Sequence, residues 1–456
     1  MIIHPCISSS AGSDIDSISL SAEINAYAAC SVSYHEGAPG ARNALDVNYL
    51  SRRAQLRQTM RANPMTPNFS ASIAGIPGAD ELLFRGFITA PGGTNQVGNL
   101  SRTLGAVHAS ALISHLHGSI YSLNKDIVLE KAEEITGTLT ERLIAITDSI
   151  VEEGRTILQG SDNPLADGLK KADTANRLPL QAWRAMLQAS EETVGYDDLA
   201  DLPEDAELSK TLNMFLYAQI LGAKADFFQT VQAIASAFGL FYRPGIKEGD
   251  FGSLCSPRKM LENAQEFTLD AVMTGYQDGA RNGIVPEAVL ISGLPFSPSS
   301  DPFKWGTLSL GDPGGVVFPA DATGPLVEIG VPGWIPTVFP QTEPESGNIL
   351  TGSNRFSEPQ DPQQEIIDEF SKHIEEAAPI INEYVQNAWY EMVTASSSAM
   401  FDCPLAPDIA AGMAVKLTIP EGGSLTGIVS SVRHTVSVSN GGGTASTNFT
   451  LSYLND

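Results

Sequence analysis

The chain has 456 residues, which is too many for one ordinary hydrophobic core and predicts two or three domains. Its 53 acidic and 27 basic residues give a net charge of −26, which argues against a surface that binds nucleic acid through the phosphates. Solubility is the simpler interpretation of this charge, and a surface that DNA passes without binding is also compatible with it. No apolar run approaches the roughly 18 residues of a membrane span. The N-terminus lacks the pattern of a signal peptide, so we expect no membrane anchor and four reduced cysteines.

Residues 1–123 are predicted to form a β-barrel-like domain. Short alternating segments at 17–20 and 29–34 indicate strands. A turn cluster, Pro77-Gly78-Ala79-Asp80, separates two further strand segments, 70–76 and 82–89, in the pattern of a hairpin.

A short basic segment, residues 45–61, stands out in this acidic chain. A solvated helix face that pairs with acids elsewhere is the simpler interpretation, because charged faces are usually just solvated. A contact with an acidic neighbouring subunit is the functional interpretation. It makes Arg52, Arg53 and Arg57 candidate interface residues.

Residues 124–283 are predicted to form a helical domain. Apolar side chains recur every three or four residues between 128 and 150, which is typical of an amphipathic helix. After a second helix, a third is expected from about 206 to 241. A fourth is expected to begin at Ser256-Pro257, where Ser is a good N-cap and Pro suits the first helical position, and to end near Gly275.

Residues 284–360 are predicted to be a loop-rich section with short strands, such as 315–318. Thirteen of the chain's 28 prolines lie between 286 and 362, and this excludes long regular helices there. Interspersed aromatic residues, including Trp305 and Trp334, favour an ordered excursion over a flexible linker.

Residues 361–402 are predicted to form the last helix. Asp361 and Pro362 suit its first positions, and Pro379 is expected to kink or split it. The helix leads directly into the terminal strands.

Residues 403–456 are predicted to be the strands of a C-terminal β-barrel. The strand at 425–438 alternates between an apolar face with His434 and a polar face with Arg433. The segment Asn440-Gly441-Gly442-Gly443 tolerates the positive φ of a reversal and leads into a strand at 444–454. An antiparallel hairpin is therefore expected here.

The sequence contains none of the usual catalytic or ligand-binding motifs, such as GxSxG, a P-loop, GxGxxG, HExxH or CxxC. His115 and His117 would share one face of a strand, which is compatible with a metal pair, although no third ligand is indicated. Structural histidines are the simpler interpretation. We therefore predict a protein that is not an enzyme and that has no catalytic, cofactor-binding or metal-binding residues.

Three stretches together resemble a known family. The segment from Pro404 to Leu417 has the form Pro-Leu-x-Pro-x-Ile-x-x-Gly-Met-x-Val-x-Leu and follows a helix rich in Ala, Tyr and Trp. Then come Gly-Ile-Val-Ser-Ser-Val-Arg-His-Thr-Val, residues 427–436, a glycine-rich reversal and a closing strand. With the segment Glu81 to Ile88, this resembles the baseplate-hub or late-control-protein family of tail hubs from long-tailed bacteriophages.

The resemblance implies an α+β fold with two small antiparallel β-barrels, a helical insertion and the proline-rich section. It implies a homotrimer whose six barrels form a pseudo-sixfold ring between the tail tube and the central spike. The implied partners are further copies of the chain, a tail tube or distal tail protein, the spike and the tape-measure protein, with DNA only in transit. The implied location is the virion, after assembly in the host cytoplasm.

Within this interpretation, Arg433 and His434 are candidates for barrel packing and ring contact, and Gly441, Gly442 and Gly443 form a tip that faces a neighbouring ring. Two other classes stay open. One is a virion-associated cell-wall hydrolase whose active site combines residues distant in sequence. The other is a carbohydrate-binding adhesin, which Trp305, Trp334 and the long loops would favour.

Overall fold

The computed structural model describes residues 6–9, 15–35, 65, 67, 69–74, 82–96, 99–121, 134–160, 164–203, 206–222, 226–268, 275–278, 286–294, 314–319, 321–335, 361–418, 423–439 and 442–454. The predicted interface residues Arg52, Arg53, Arg57 and Gly441 lie outside these ranges, as does Trp305.

The N-terminal part contributes six strands. They are β1 (Cys6–Ser9), β2 (Ile15–Glu23), β3 (Ala29–His35), β4 (Phe69–Ala74), β5 (Leu82–Gln96) and β6 (Asn99–His108). All neighbours are antiparallel, in the order β1-β4-β5-β6-β3-β2. The strands predicted at 17–20, 29–34, 70–76 and 82–89 are confirmed, and the hairpin predicted from the turn cluster is the β4–β5 pair.

A helical body follows. It contains α1 (Leu139–Gln159), α2 (Pro164–Ser190), α3 (Glu207–Gly222), α4 (Phe227–Ala237) and α5 (Pro257–Glu262), with 3-10 turns at Ala109–His115, Gly118–Tyr121 and Asp197–Asp201. A two-stranded ribbon, β7 (Phe241–Arg243) with β8 (Ser253–Cys255), lies between α4 and α5. A capping box between Thr138 and Glu141 begins α1, because each side chain accepts a hydrogen bond from the other residue's backbone N–H.

Two predicted helices are wrong in extent. The helix expected over 206–241 is split into α3 and α4, since Asp226 is extended and its side chain accepts a hydrogen bond from the N–H of Phe228. The helix expected from Ser256 to Gly275 begins as predicted, with Ser256 as N-cap, but α5 ends at Glu262. The chain then enters β9 (Gln265–Thr268), which pairs in parallel with a later strand, so sheet pairing overrides the helical tendency.

The proline-rich section contains ordered strands. After β10 (Gly275–Asp278), β11 (Ala288–Leu294) pairs with β12 (Gly314–Phe318) in antiparallel and with β13 (Leu326–Ile329) in parallel orientation. The expected strand at 315–318 is confirmed. Val289, Trp334 and Ile335 are buried in the core of the helical body, so the described part of this section packs on the helices.

The last helix, α6 (Asp361–Ser396), begins at the predicted residue. It passes through Pro379 without ending, so the predicted split is wrong. Its second half packs into the helical core through Ile381 and Val385. The chain then forms β14 (Ser398–Pro404), β15 (Ala414–Thr418), β16 (Ser424–Ser439) and β17 (Gly442–Tyr453).

The C-terminal strands complete a twelve-stranded sheet in the described part of the chain. β16 pairs with β2 of the N-terminal six strands, and from its opposite edge the order continues through β17, β14 and β10. β15 pairs with the start of β16 on the same edge as β2, and β9 pairs with β15. The sheet thus joins six strands from residues 6–108 to six strands from residues 265–453. Closure of each set into a separate barrel stays a prediction.

The helical body contains a buried cation. The guanidinium of Arg142 on α1 donates to the carbonyls of Ile135, Gly137 and Leu199 and to the side chains of Ser209 and Asn213 on α3, at 2.7–3.1 Å. No solvent reaches this side chain. Burial lowers the pKa of Arg142 to about 10. One side chain therefore ties the start of α1 to α3 and to the 3-10 turn that ends at Asp201.

Candidate interface at the strand junction

The strand junction is the pairing of β2 residues 17–23 with β16 residues 431–437. Its register places Leu20 opposite His434 and Ser21 opposite Arg433. On β2, Ile18, Leu20 and Ala22 are buried, whereas the serines between them are partly exposed. On β16, Val432, His434 and Val436 are buried, and Ser431, Arg433, Thr435 and Ser437 lie on the opposite face.

The predicted C-terminal hairpin is confirmed. β16 and β17 pair in antiparallel register from Gly427 opposite Tyr453 to Ser439 opposite Gly442. Two of the glycines predicted to form its tip, Gly442 and Gly443, are the first residues of β17, where Gly443 lies opposite Val438. Their contact with a neighbouring ring stays a prediction.

His434 lies on the buried face of the junction. Its Nδ1 is 2.9 Å from the hydroxyl oxygen of Thr447, which also accepts a hydrogen bond from the N–H of Ala406 at 2.8 Å. Burial lowers the pKa of His434 to about 4, and the backbone of Ile409 opposes this only in part. Nε2 has no partner at good hydrogen-bond geometry among the described residues, and the backbone of Ile409 is at most a weak hydrogen-bond partner for the ring. A neutral ring in a packed interior fits a role in packing.

A loop, residues 244–252, packs beneath the junction. Its Ile246 contacts the apolar clusters on both the N-terminal and the C-terminal side. Together with Phe84 and His434, Ile246 lines a cavity of about 10 Å³, which is the size of one water molecule. The loop turns tightly, since a Cβ atom on Gly245 would lie 1.9 Å from the carbonyl oxygen of Asp250.

A second buried histidine holds this loop. The Nδ1 of His108 accepts a hydrogen bond from the N–H of Ser110 at 3.2 Å, so the proton of the neutral ring lies on Nε2, which faces the carbonyl of Lys247 at 3.2 Å. Burial lowers the pKa of His108 to about 4, against smaller opposing effects of Asp250 and the Lys247 carbonyl. Glu248 in the same loop pairs with Arg85 on β5.

The opposite face of the junction is polar and open. A cleft of about 370 Å³ lies over β2, β16, β17 and β14. Its lining includes Glu23, Tyr27, Met400, Arg433 and Asn448. Arg433 is exposed, and within the described ranges it forms no ion pair. Asn448 donates to the carboxylate of Asp402 on β14.

A network of charged and polar side chains fixes α5 on α6. Arg258 on α5 binds the carboxylate of Glu383 on α6 through Nε at 3.2 Å and Nη2 at 2.6 Å. Asn387, one turn further along α6, accepts a hydrogen bond from Ser256, the N-cap of α5, at 2.6 Å. The start of α5 is therefore fixed on α6 before the chain turns into β9.

The histidines considered as a metal pair, His115 and His117, lie outside the strand junction. His115 ends a 3-10 turn and not a strand, so the shared strand face with His117 is wrong. Across the described ranges, no group of three His, Cys, Asp or Glu side chains could hold a metal ion. No described helix is both long and apolar enough to cross a membrane.

Trp334 is fully buried, which removes it as a sugar-stacking platform for an adhesin. Its ring stacks on Phe238 with centroids 5.1 Å apart, and its Nε1 donates to the carbonyl of Ala237 at 2.7 Å. Sequence reasoning missed this role because an isolated Trp in a proline-rich stretch has no periodicity that would show which core it enters.

The variant Trp334→Phe is expected to lower the free energy of unfolding by about 1–3 kcal/mol, because the carbonyl of Ala237 loses its hydrogen bond from the fully buried indole. Urea unfolding followed by circular dichroism would measure it. Trp389→Phe is the control, since the bond from Trp389 to the carbonyl of Glu287 is exposed to solvent. Equal losses in the two variants would contradict the assignment of Trp334 to the core.

No family model matches the chain, and no curated protein sequence matches it. Solved structures that match it include three whose alignments extend over almost the whole chain. The chain is similar in structure to bacteriophage tail proteins. The 43 kDa tail protein of prophage MuSo2 from Shewanella oneidensis is 7% identical with a TM-score of 0.41, over 98% of this chain and 97% of that one.

A tail protein from Neisseria meningitidis is 8% identical with a TM-score of 0.39, over 98% of this chain and 95% of that one. A prophage tail protein from Listeria monocytogenes is 8% identical with a TM-score of 0.39, over 97% and 90%.

Proposed function

We propose that this protein is a structural component of a bacteriophage tail, and that it forms the trimeric hub between the tail tube and the central spike. The observation that carries the proposal is the composition of the large sheet. Six N-terminal strands and six C-terminal strands meet side by side at the β2–β16 pair. Three chains with two such sets each supply six sets, the number that a ring matched to a sixfold tube requires.

The segments that resemble tail hubs lie on both sides of this pair. Residues 404–417 and 427–436 contribute to β14–β16, and residues 81–88 lie mainly in β5. The proposed partners are the tail tube or a distal tail protein, the spike and the tape-measure protein. A net charge of −26 would let DNA pass through such a ring without binding to its wall. The proposed location is the virion, after assembly in the host cytoplasm.

Native mass spectrometry of the purified chain, alone and with tail partners, tests the proposal. The expected species has three times the 48.4 kDa mass of one chain. A cryo-electron micrograph of the particle should show threefold symmetry at its position. A monomer in solution together with the absence of three copies from the particle would overturn the proposal.

A further inference from the structure

We propose that the cleft around Arg433 is a docking site for a carboxylate-bearing segment of a second copy of this chain. The inference rests on the proposed ring of copies, and it names the residue and the chemistry through which neighbouring copies recognise each other. It concerns the open polar face of the strand junction, opposite the face that holds His434.

Arg433 carries a charge that no described residue neutralises. In the described part of the chain, several other arginines have carboxylate partners, as Arg155 has in Asp173 and Arg184 has in Asp148. Arg433 is exposed in a cleft and has no such partner among the described residues. Its planar guanidinium suits a carboxylate in a two-point hydrogen-bonded pair.

The cleft has a second charge. Glu23 faces Ser431 in the register and therefore lies diagonally from Arg433 on the same face. The two side chains form no ion pair. An incoming segment thus meets a cation and an anion close together. It fits best if it offers a carboxylate to Arg433 and a hydrogen-bond donor to Glu23.

The lining of the cleft favours a protein partner. Met400 and Arg433 belong to the residue types that are enriched where proteins bind each other. Met400 is 43% exposed, so it offers an apolar contact beside the charged groups of the cleft. A second copy is the favoured source because the chain carries 53 acids against 27 bases, so its surface offers carboxylates in excess.

The experiment uses zero-length carbodiimide coupling, which joins an amine to a neighbouring carboxylate. Arginine does not react, whereas Arg433→Lys keeps the charge and supplies an amine. Glu23→Gln is combined with it, so that the chain's own acid cannot capture that amine. Equal amounts of ¹⁴N- and ¹⁵N-labelled protein are mixed, coupled and digested, and the linked peptides are read by mass spectrometry.

The expected result is a link from position 433 to an acidic residue in mixed-label peptides. Lys416, whose amine lies 3.7 Å from Glu266 of the same chain, is the internal control and should link within one label. In a second measurement, Arg433→Glu should raise the concentration at which copies associate by at least about tenfold.

The outcomes separate this inference from the proposed function. If native mass spectrometry shows the trimer but position 433 gives no mixed-label link, the docking site is overturned and the ring stands. If position 433 links only to another tail protein in the particle, the second copy is overturned as occupant. If no ring of copies forms, both proposals fall.

Discussion

Arg142→Met is expected to lower the free energy of unfolding by about 3–5 kcal/mol, because it removes five hydrogen bonds and leaves buried acceptors without a donor. Methionine keeps much of the side-chain volume, so the loss reports the guanidinium and not a cavity. The effect should appear as a lower midpoint of urea unfolding, followed by circular dichroism of the helical body.

The matched control is Arg184→Met. Arg184 lies on α2 and pairs with Asp148 at a site where 37% of the arginine side chain is exposed. Exposed ion pairs contribute about 0–1 kcal/mol, so this variant should unfold close to the parent protein. If Arg142→Met lost no more stability than Arg184→Met, the hydrogen bonds of Arg142 would not be what ties α1 to α3.

The protein is expected to lose stability steeply as the pH falls from 6.5 toward 4. His108 and His434 have pKa values of about 4 in the folded chain, against an ordinary value of 6.5. The unfolded chain therefore binds more protons in this window, so the stabilising contribution is complete above pH 6.5 and is lost as the pH falls toward 4. The difference corresponds to about 3 kcal/mol for each histidine.

Chemical unfolding at several pH values between 4 and 7.5 would measure this effect. In the double variant His108→Gln and His434→Gln, the free energy of unfolding should depend less on pH across this window, whatever the cost of the substitutions at neutral pH. His115→Gln, which replaces an exposed imidazole, is the control for the substitution itself. An unchanged slope in the double variant would show that other groups cause the acid sensitivity.

The sequence predicted the elements that depend on local patterns. β16 and β17 were predictable because alternation and a glycine reversal are both visible within thirty residues. The start of α5 was predictable because Ser256 and Pro257 are a local N-terminal signal. Its early end was not, since β9 is held by β15, a strand about 150 residues further along the chain.

The candidate site was only partly predictable. The polar face of β16 indicated Arg433, and the apolar face indicated that His434 packs inside. The cleft was not visible, because Glu23 reaches Arg433 through a strand pairing that spans most of the chain and Met400 reaches it only across β17. The loop at 244–252 carried a weak signal in its glycines, which marks a tight turn but not the junction beneath which it lies.

The pairing of β2 with β16 also determines how long the growing chain exposes an unpaired strand edge. Ser19 and Thr435, whose hydroxyl oxygens lie 3.5 Å apart, are separated by 416 positions, so the ribosome releases the first strands long before their neighbour exists. Until then the outer edge of β2 is an unpaired strand edge, which other strands can join. Chains that stop before residue 424 should therefore aggregate, and a chaperone that shields this edge would raise the yield of the intact protein.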